Sequence, residues 1–314
     1  MAKKISNIVF TKNRPLQLDG YLESLYRYLP EELIQTYIIY KVELFEQEYE
    51  QLFEKYPSCV VIKEEDFSSD FSGLLDKIDT DYILFGIDDV VCFDFVDFDI
   101  IDETFSKYAR DIFGFSLRFS EEGIRECGDT ISEAVTGGQA VYRVNWKQGR
   151  TPSTRYPFEL CATIYQTHLV KRIISSSQNN NILAKKLFSP KSGLIKALGK
   201  ITSVRPILKS FGYFYNPNTL ESWNCRWCQR HSDELPNFIY FQKQCACAVQ
   251  VNMVNVTERK IFNSSFNYTV EALAAKYKQG YRLDIDYIAK NKPRAIHCGP
   301  EYFKLIRNEA VSNV

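Results

Sequence analysis

Hydrophobic positions near the start of the chain alternate between short apolar runs and stretches of helical period. The run "NIVFT" (7–11) ends at the breaker "KNRP", and "LQLDGYLESLYRYLP" then places Leu16, Leu18, Tyr21, Leu22, Leu25 and Tyr26 at helical spacing. A second strand is predicted over "TYIIYKV" (36–42), a helix over "EQEYEQLFEKYP" and a third strand over "CVVIKEE" (59–65). Another helix over "FSGLLDKI" and a fourth strand, "YILFGIDD", follow. Short strands alternating with helices predict βαβ crossovers and a parallel sheet covered on both faces. Ligands of such sheets bind beyond the carboxyl ends of the strands. "TKNRP" and "IDD" both fall at that edge.

The fourth strand ends in an unusual way. Asp88 and Asp89 follow Tyr82, Ile83, Leu84 and Phe85 directly. Adjacent carboxylates repel, and burying them costs more still, so the pair is expected either to be solvated or to await a cation. Neither G-x-G-x-x-G nor G-x-x-x-x-G-K-[ST] follows the first strand. If a phosphate binds, Mg²⁺ or Mn²⁺ held by the two acids would clamp a diphosphate in place of a glycine loop.

Composition narrows the options. The 314 residues are 45% hydrophobic and 25% charged, which suits one large α/β domain or two smaller ones. Lys plus Arg and Asp plus Glu are each 39, so no global basic field favours nucleic acid as a partner. The opening "MAKKISNIVFTKNRP" is too short in apolar residues for a signal peptide, and no run approaches the roughly 18 needed to span a membrane, so a cytoplasmic location is expected. The nine cysteines are scattered, as reduced thiols are. Cys225, Cys228, His231, Cys245 and Cys247 offer a zinc set, but the strand-like "QCACAVQVNMV" explains the last two as core, and buried free thiols are the preferred reading.

With these residues in view, "IVFTKNRPLQLDGYLESL" together with "DTDYILFGIDDV" resembles the GT-A fold glycosyltransferases, of the family 2-like kind found in bacterial surface-polysaccharide synthesis. The resemblance implies an α/β fold with a mixed, mostly parallel sheet flanked by helices, a helical insertion and a C-terminal extension. It implies one domain over 1–314, with a nucleotide-binding half (1–110) and an acceptor-binding half (111–314). A nucleotide sugar is the implied donor and a glycan or lipid-linked molecule the implied acceptor. Thr11, Asn13 and Arg14 would touch the nucleotide. The acidic metal motif maps onto Ile87, Asp88 and Asp89, with Ile87 in place of the usual first acid. Asp88 would then face the donor, while Asp89 would bind Mn²⁺ or Mg²⁺ with His297 of "NKPRAIHCGPEYF" as a later ligand.

The second half carries the implied acceptor side. "YPFELCATIYQTHLVKRII" resembles the segment leading into the acceptor site, and "FYNPNTLESW" the segment bearing the catalytic acid, which makes Glu221 the candidate base. Its competing reading is a first-turn acid favoured by the helix dipole. Glu159 is the second candidate, since its aromatic and apolar neighbours would raise its pKa. Arg118, after another apolar run, would bind phosphate or sugar, or else form a structural ion pair. Trp146, Trp223 and Trp227 read as core more readily than as sugar platforms. "VEALAAKYKQG" predicts a helix closed by glycine, and Asp284 and Asp286 are expected to lie solvated on a strand.

Residues 183–214 form a basic amphipathic insertion, with Lys185, Lys186, Lys191, Lys196, Lys200, Arg205 and Lys209 and no acid. A helical insertion with a solvated basic face is the preferred reading, and peripheral contact with anionic lipid at the inner face of a membrane the alternative. Two other functions compete with transfer. A sugar nucleotidyltransferase normally has a glycine-rich loop where this chain has "TKNRPLQ". A non-catalytic glycan- or protein-binding module on a transferase scaffold is suggested by Ile87.

Overall fold

The strands sort their side chains to two faces. In β1 (Ile5–Lys12), Ile5 and Val9 enter one apolar cluster while Ile8 and Phe10 enter another. In β4 (Tyr82–Ile87), Tyr82 and Leu84 face the first cluster while Ile83 and Phe85 face the second. A strand buried on both faces needs cover on both, and helices supply it. The computed structural model describes residues 3–178, 214–231, 235–252 and 268–307.

The first half follows the expected alternation. β1 leads to α1 (Pro15–Tyr28), β2 (Ile34–Lys41) to α2 (Glu46–Lys55), and β3 (Val60–Lys63) to α3 (Phe67–Lys77). β4 is followed by β5 (Val90–Cys92), α4 (Phe98–Tyr108), β6 (Ile112–Ser116), α5 (Glu121–Glu126), β7 (Ile131–Thr136) and β8 (Gln139–Asn145). Then come β9 (Thr163–Gln166), α6 (Thr167–Ser177), α7 (Pro217–His231), β10 (Asn237–Phe241) and β11 (Ala246–Val249). The chain continues through α8 (Val270–Lys278), β12 (Tyr281–Leu283), α9 (Ile285–Asn291), β13 (His297–Cys298) and β14 (Leu305–Arg307).

The main sheet has the order β3-β2-β1-β4-β9-β6-β10-β8-β7. β1 pairs in parallel with β2 and β4, and β2 with β3. β9 runs antiparallel between β4 and β6, and β8 antiparallel between β10 and β7. Because β10 and β6 are parallel, every strand of this sheet except β8 and β9 points the same way. This is the mixed, mostly parallel sheet flanked by helices that the resemblance implies. A smaller sheet joins β13, β11 and β5 across its edge. Through it Val91, Cys247 and Cys298 pack with Leu273 and Ile288 of α8 and α9.

The reversed β9 matters for function. Its beginning, not its end, lies at the carboxyl edge of the parallel strands, so the segment before it reaches the ligand crevice.

One close approach fixes how α1 meets the sheet. Tyr21 of α1 donates to Asn7 Oδ1 at 2.6 Å, and a Cβ at Gly86 would stand 2.1 Å from the Tyr21 hydroxyl. Overpacking of this kind costs about 1–3 kcal/mol. Gly86→Ala is therefore expected to lower stability by that amount, read as a lower urea midpoint at unchanged slope, and an unchanged midpoint would show that Tyr21 has room to move.

Several expectations from the C-terminal part are corrected. Asp284 and Asp286 are not on a strand: Asp284 caps α9 by accepting from Tyr287 N–H, and Asp286 pairs with Arg27. Cys225 and Cys228 project from α7 into one apolar cluster and Cys247 lies in another, so these thiols do not converge. The basic stretch 183–214 lies outside the described residues except Phe214, which is buried against Phe67 and Phe71. Among the described residues no helix is long and apolar enough to cross a membrane.

Candidate active site

The carboxyl ends of β1, β2, β3 and β4 open onto a cavity of about 850 Å³, a size suited to a small-molecule ligand. Thr11, Arg14, Asp88, Asp89, Arg118, Glu159, Glu221 and His297 all line it. Eight of the nine predicted site residues therefore meet in one place, although they are spread along the chain.

Asn13 is the exception. It has a positive φ of 53°, and its Oδ1 accepts from the backbone N–H groups of Glu43 and Leu44. Asparagine tolerates the left-handed region and can hydrogen-bond nearby backbone from it. The side chain fixes the loop after β2 instead of lining the cavity.

The acidic pair is not solvated: Asp88 is buried, Asp89 is largely so, and the Arg14 guanidinium stands against both. β4 ends at Ile87, and the two acids occupy the turn into β5. Asp88 is 5% exposed, and its Oδ1 accepts from Arg14 Nη1 at 2.7 Å. Its Oδ2 accepts from the Thr11 hydroxyl at 2.8 Å. Asp89 Oδ2 lies 3.4 Å from the same Arg14 nitrogen, while Arg14 Nη2 donates to the Asn252 carbonyl at 2.5 Å. Behind them Arg14 N–H donates to the Tyr49 hydroxyl, which stands 2.8 Å from Thr11 Oγ1. With Thr11 donating to Asp88, Tyr49 must donate to Thr11, so one directed chain of hydrogen bonds runs from the Arg14 backbone to Asp88.

Asp89 is left incomplete. Its Oδ1 is buried with no hydrogen-bond partner among the described residues. Burial pushes its carboxyl up to about 6 against the pull of Arg14, and the neighbouring Asp88 adds to the rise. A buried acceptor without a donor is costly unless something fills the position.

Arg118 and Glu159 form the second cluster. Arg118, just beyond β6, is 3% exposed and ion-paired with Glu159, which also accepts from the Thr163 hydroxyl at the start of β9. Of the two readings of Arg118, the ion pair is the one observed, and it lies in the cavity wall. Glu159 thus sits against a buried guanidinium, beyond the aromatic and apolar neighbours expected for it. Arg118 Nη1 also stands 3.4 Å from His297 Nε2, and His297 Nδ1 is 3.2 Å from the Gln250 amide. The His297 residue has exposed surface, yet its ring sits among these groups. Desolvation and the Arg118 charge draw its pKa down to about 4, so it is neutral.

Glu221 stands apart from that pair. Asn216 Oδ1 accepts from Thr219 N–H and starts α7, and Glu221 follows one turn later, beyond the first-turn position expected for it. Its Oε1 accepts from Leu160 N–H at 2.9 Å. Burial lifts its carboxyl to about 7, with Glu159 pushing the same way and the Leu160 bond and Arg118 opposing. No tryptophan lines the cavity: Trp146 packs on Phe113, Trp223 donates to the Ser177 carbonyl, and Trp227 stacks on His231.

For a divalent cation the donor set is partial. Among the described residues no group of three or more His, Cys, Asp or Glu converges as a complete metal cage. Asp89, whose Oδ1 is buried without a partner among the described residues, and His297, whose imidazole is neutral, nonetheless line the same cavity. These donors suit an ion that takes its remaining ligands from a bound diphosphate.

No family model matches the chain. By sequence it is similar to the bifunctional glycosyltransferase pgtA of Dictyostelium discoideum, 23% identical over 190 residues that cover 54% of this chain and 24% of that protein. The chain thus spans about a quarter of the length of this curated relative. Among solved structures it is similar to S. aureus TarS 1–349, with 18% identity and a TM-score of 0.31 over 54% of this chain and 48% of that one. It is also similar to the mannosyltransferase PcManGT from Pyrobaculum calidifontis in complex with GDP-Man and Mn²⁺, with 10% identity and a TM-score of 0.33 over 74% and 71% of the two chains. The sequence relative carries the family name that "TKNRP" and "IDD" suggest.

Proposed function

We propose that the chain transfers a sugar from a nucleotide-sugar donor to a hydroxyl of a glycan or lipid-linked acceptor. The observation that carries this reading is the placement of Glu221. A carboxyl titrating near 7 shares one cavity with a buried Arg-bound aspartate pair, as a base and a diphosphate site would have to. Strands before residue 110 would hold the nucleotide and the later half the acceptor. Surface-polysaccharide assembly in the cytoplasm is the setting the resemblance implies.

Glu221 takes the proton of the acceptor hydroxyl as its oxygen attacks the anomeric carbon from the face opposite the departing diphosphate, so the configuration inverts. The Leu160 N–H orients the carboxylate. Glu159 is engaged by Arg118 and the Thr163 hydroxyl, which leaves Glu221 as the base. Arg14 and Thr11 hold Asp88 in place, which leaves Asp89, with His297, to hold Mn²⁺ or Mg²⁺. When bound, that ion supplies positive charge to the leaving diphosphate.

The test is donor turnover by purified protein, with and without Mn²⁺, for wild type and Asp89→Ala. Slow hydrolysis of one nucleotide sugar is expected, stimulated by Mn²⁺ in wild type and reduced roughly 100-fold or more in the variant, as for a lost electrostatic contact to the transition state. Absence of hydrolysis and of transfer for every nucleotide sugar would overturn the reading. The neutralisation of Asp88 by Arg14 would then favour a non-catalytic binding module.

A further inference from the structure

One flank of the cavity has no part in the chemistry just described. Beyond β2 and β3 it is lined by Lys41, Glu64 and Asp66, over an apolar floor of Phe10, Ile39 and Phe67. The Phe10 and Phe67 rings lie 5.6 Å apart. Lys41 Nζ donates to Glu64 Oε1 at 2.7 Å. The Glu64 side chain is only 9% exposed, and its backbone N–H is tied to the Tyr40 carbonyl, so the carboxylate is held in place. Asp66 is already occupied in capping α3 through Ser69 N–H. Glu64 Oε2 has no donor among the described residues. The flank therefore presents, side by side, one ammonium donor and the acceptor oxygens of one carboxylate.

We propose that this flank reads a guanine base, with Lys41 donating to O6 and Glu64 accepting from N1–H and the 2-amino group, so that the donor is a GDP-sugar. The inference rests on the nucleotide-sugar reading above and adds the identity of the base. The edge of guanine runs acceptor, donor, donor, which complements an ammonium followed by two carboxylate oxygens. Uracil runs acceptor, donor, acceptor and would set a carbonyl oxygen against a carboxylate oxygen. Cytosine and adenine bring the lone pair of a ring nitrogen to where Glu64 needs a donor. A site built to hydrogen-bond a donor rejects analogues lacking it, because its own acceptor is left unpaired.

The experiment is calorimetric titration of the full chain, in Mg²⁺, with GDP, IDP, UDP, CDP and ADP. GDP is expected to bind at least about tenfold tighter than UDP, CDP or ADP, the scale of one good two-point base contact. IDP keeps O6 and N1–H but lacks the 2-amino group, and is expected to bind about tenfold more weakly than GDP. Glu64→Gln, checked for an unchanged thermal midpoint, should erase most of the difference between GDP and IDP. UDP, CDP or ADP binding as tightly as GDP, or IDP matching GDP on wild type, overturns the guanine assignment and leaves the donor site standing. Failure of all five to bind overturns both.

Discussion

Glu221→Gln is expected to lower turnover of the nucleotide sugar by about 10²–10⁴-fold, the span general-base catalysis contributes, with little change in nucleotide affinity. The amide oxygen introduced by that substitution can still accept from Leu160 N–H, so the loss would report the missing base and not a broken loop. The pH profile gives an independent check. Below about 7 the Glu221 carboxyl keeps its proton and cannot accept another, so wild-type kcat/KM should rise through that value. His297, drawn down to about 4, stays neutral across this range and adds no limb. The variant should lose the limb near 7. The same upward shift means that ionising Glu221 disfavours the folded chain, so its stability declines as pH rises from the ordinary carboxylate range through about 7. Glu221→Gln is thus expected to unfold at the same temperature as wild type or higher. A variant with wild-type turnover would remove Glu221 from the base role.

Glu159→Ala should produce the largest loss of stability. Arg118 is 3% exposed, and its Nε already lacks a partner among the described residues, so removing Glu159 leaves a buried guanidinium without its ion-pair partner, with His297 beside it and Glu221 acting on it only through space. Breaking a buried ion pair on one side costs about 3–5 kcal/mol. Replacing both residues, as in Arg118→Met with Glu159→Leu, should recover most of that, because the cost comes from the stranded charge. Denaturant midpoints of the single and double variants decide the matter. A single variant within about 1 kcal/mol of wild type would place Arg118 in contact with water, where an ion pair contributes little.

What the sequence showed was what local periodicity can carry. The runs at 7–11, 36–42 and 59–65 fall on β1, β2 and β3 within a few residues; β1 is apolar along its length because it is buried on both faces, whereas β3 is apolar as an edge strand that leaves Val60 and Val61 exposed. The edge rule brought Thr11, Arg14, Asp88 and Asp89 together, since each lies at or just past the end of a parallel strand. Applied equally, the rule would have pointed to Lys41, which closes β2, and Glu64, which follows β3.

Partnership was not legible. Nothing around "TKNRP" says that Arg14 turns onto Asp88, and nothing around "EQEYEQLF" says that the Tyr49 hydroxyl completes the chain behind Thr11. Asn13 looked like a ligand contact for its place in the motif, and its positive φ shows only in three dimensions. The reversal of β9 was equally hidden, because an apolar run does not state its direction.

That reversed strand also bears on how the chain folds. β1 and β4 can pair as soon as the chain has been made as far as Ile87, and the Arg14–Asp88 contact spans 74 positions within that unit. Arg14's other partner, the Asn252 carbonyl, lies 238 positions away, and Glu159 reaches the crevice only once β9 has inserted beside β4. Contacts of such separation are slow to form, since the intervening chain must be ordered before they contribute. In a chain synthesised from its N-terminus, the acidic turn is thus expected to find Arg14 early, well before the base and the acceptor wall are in place. During that interval the guanidinium keeps two neighbouring carboxylates from repelling each other in a half-built crevice, a service to folding separate from any service to catalysis.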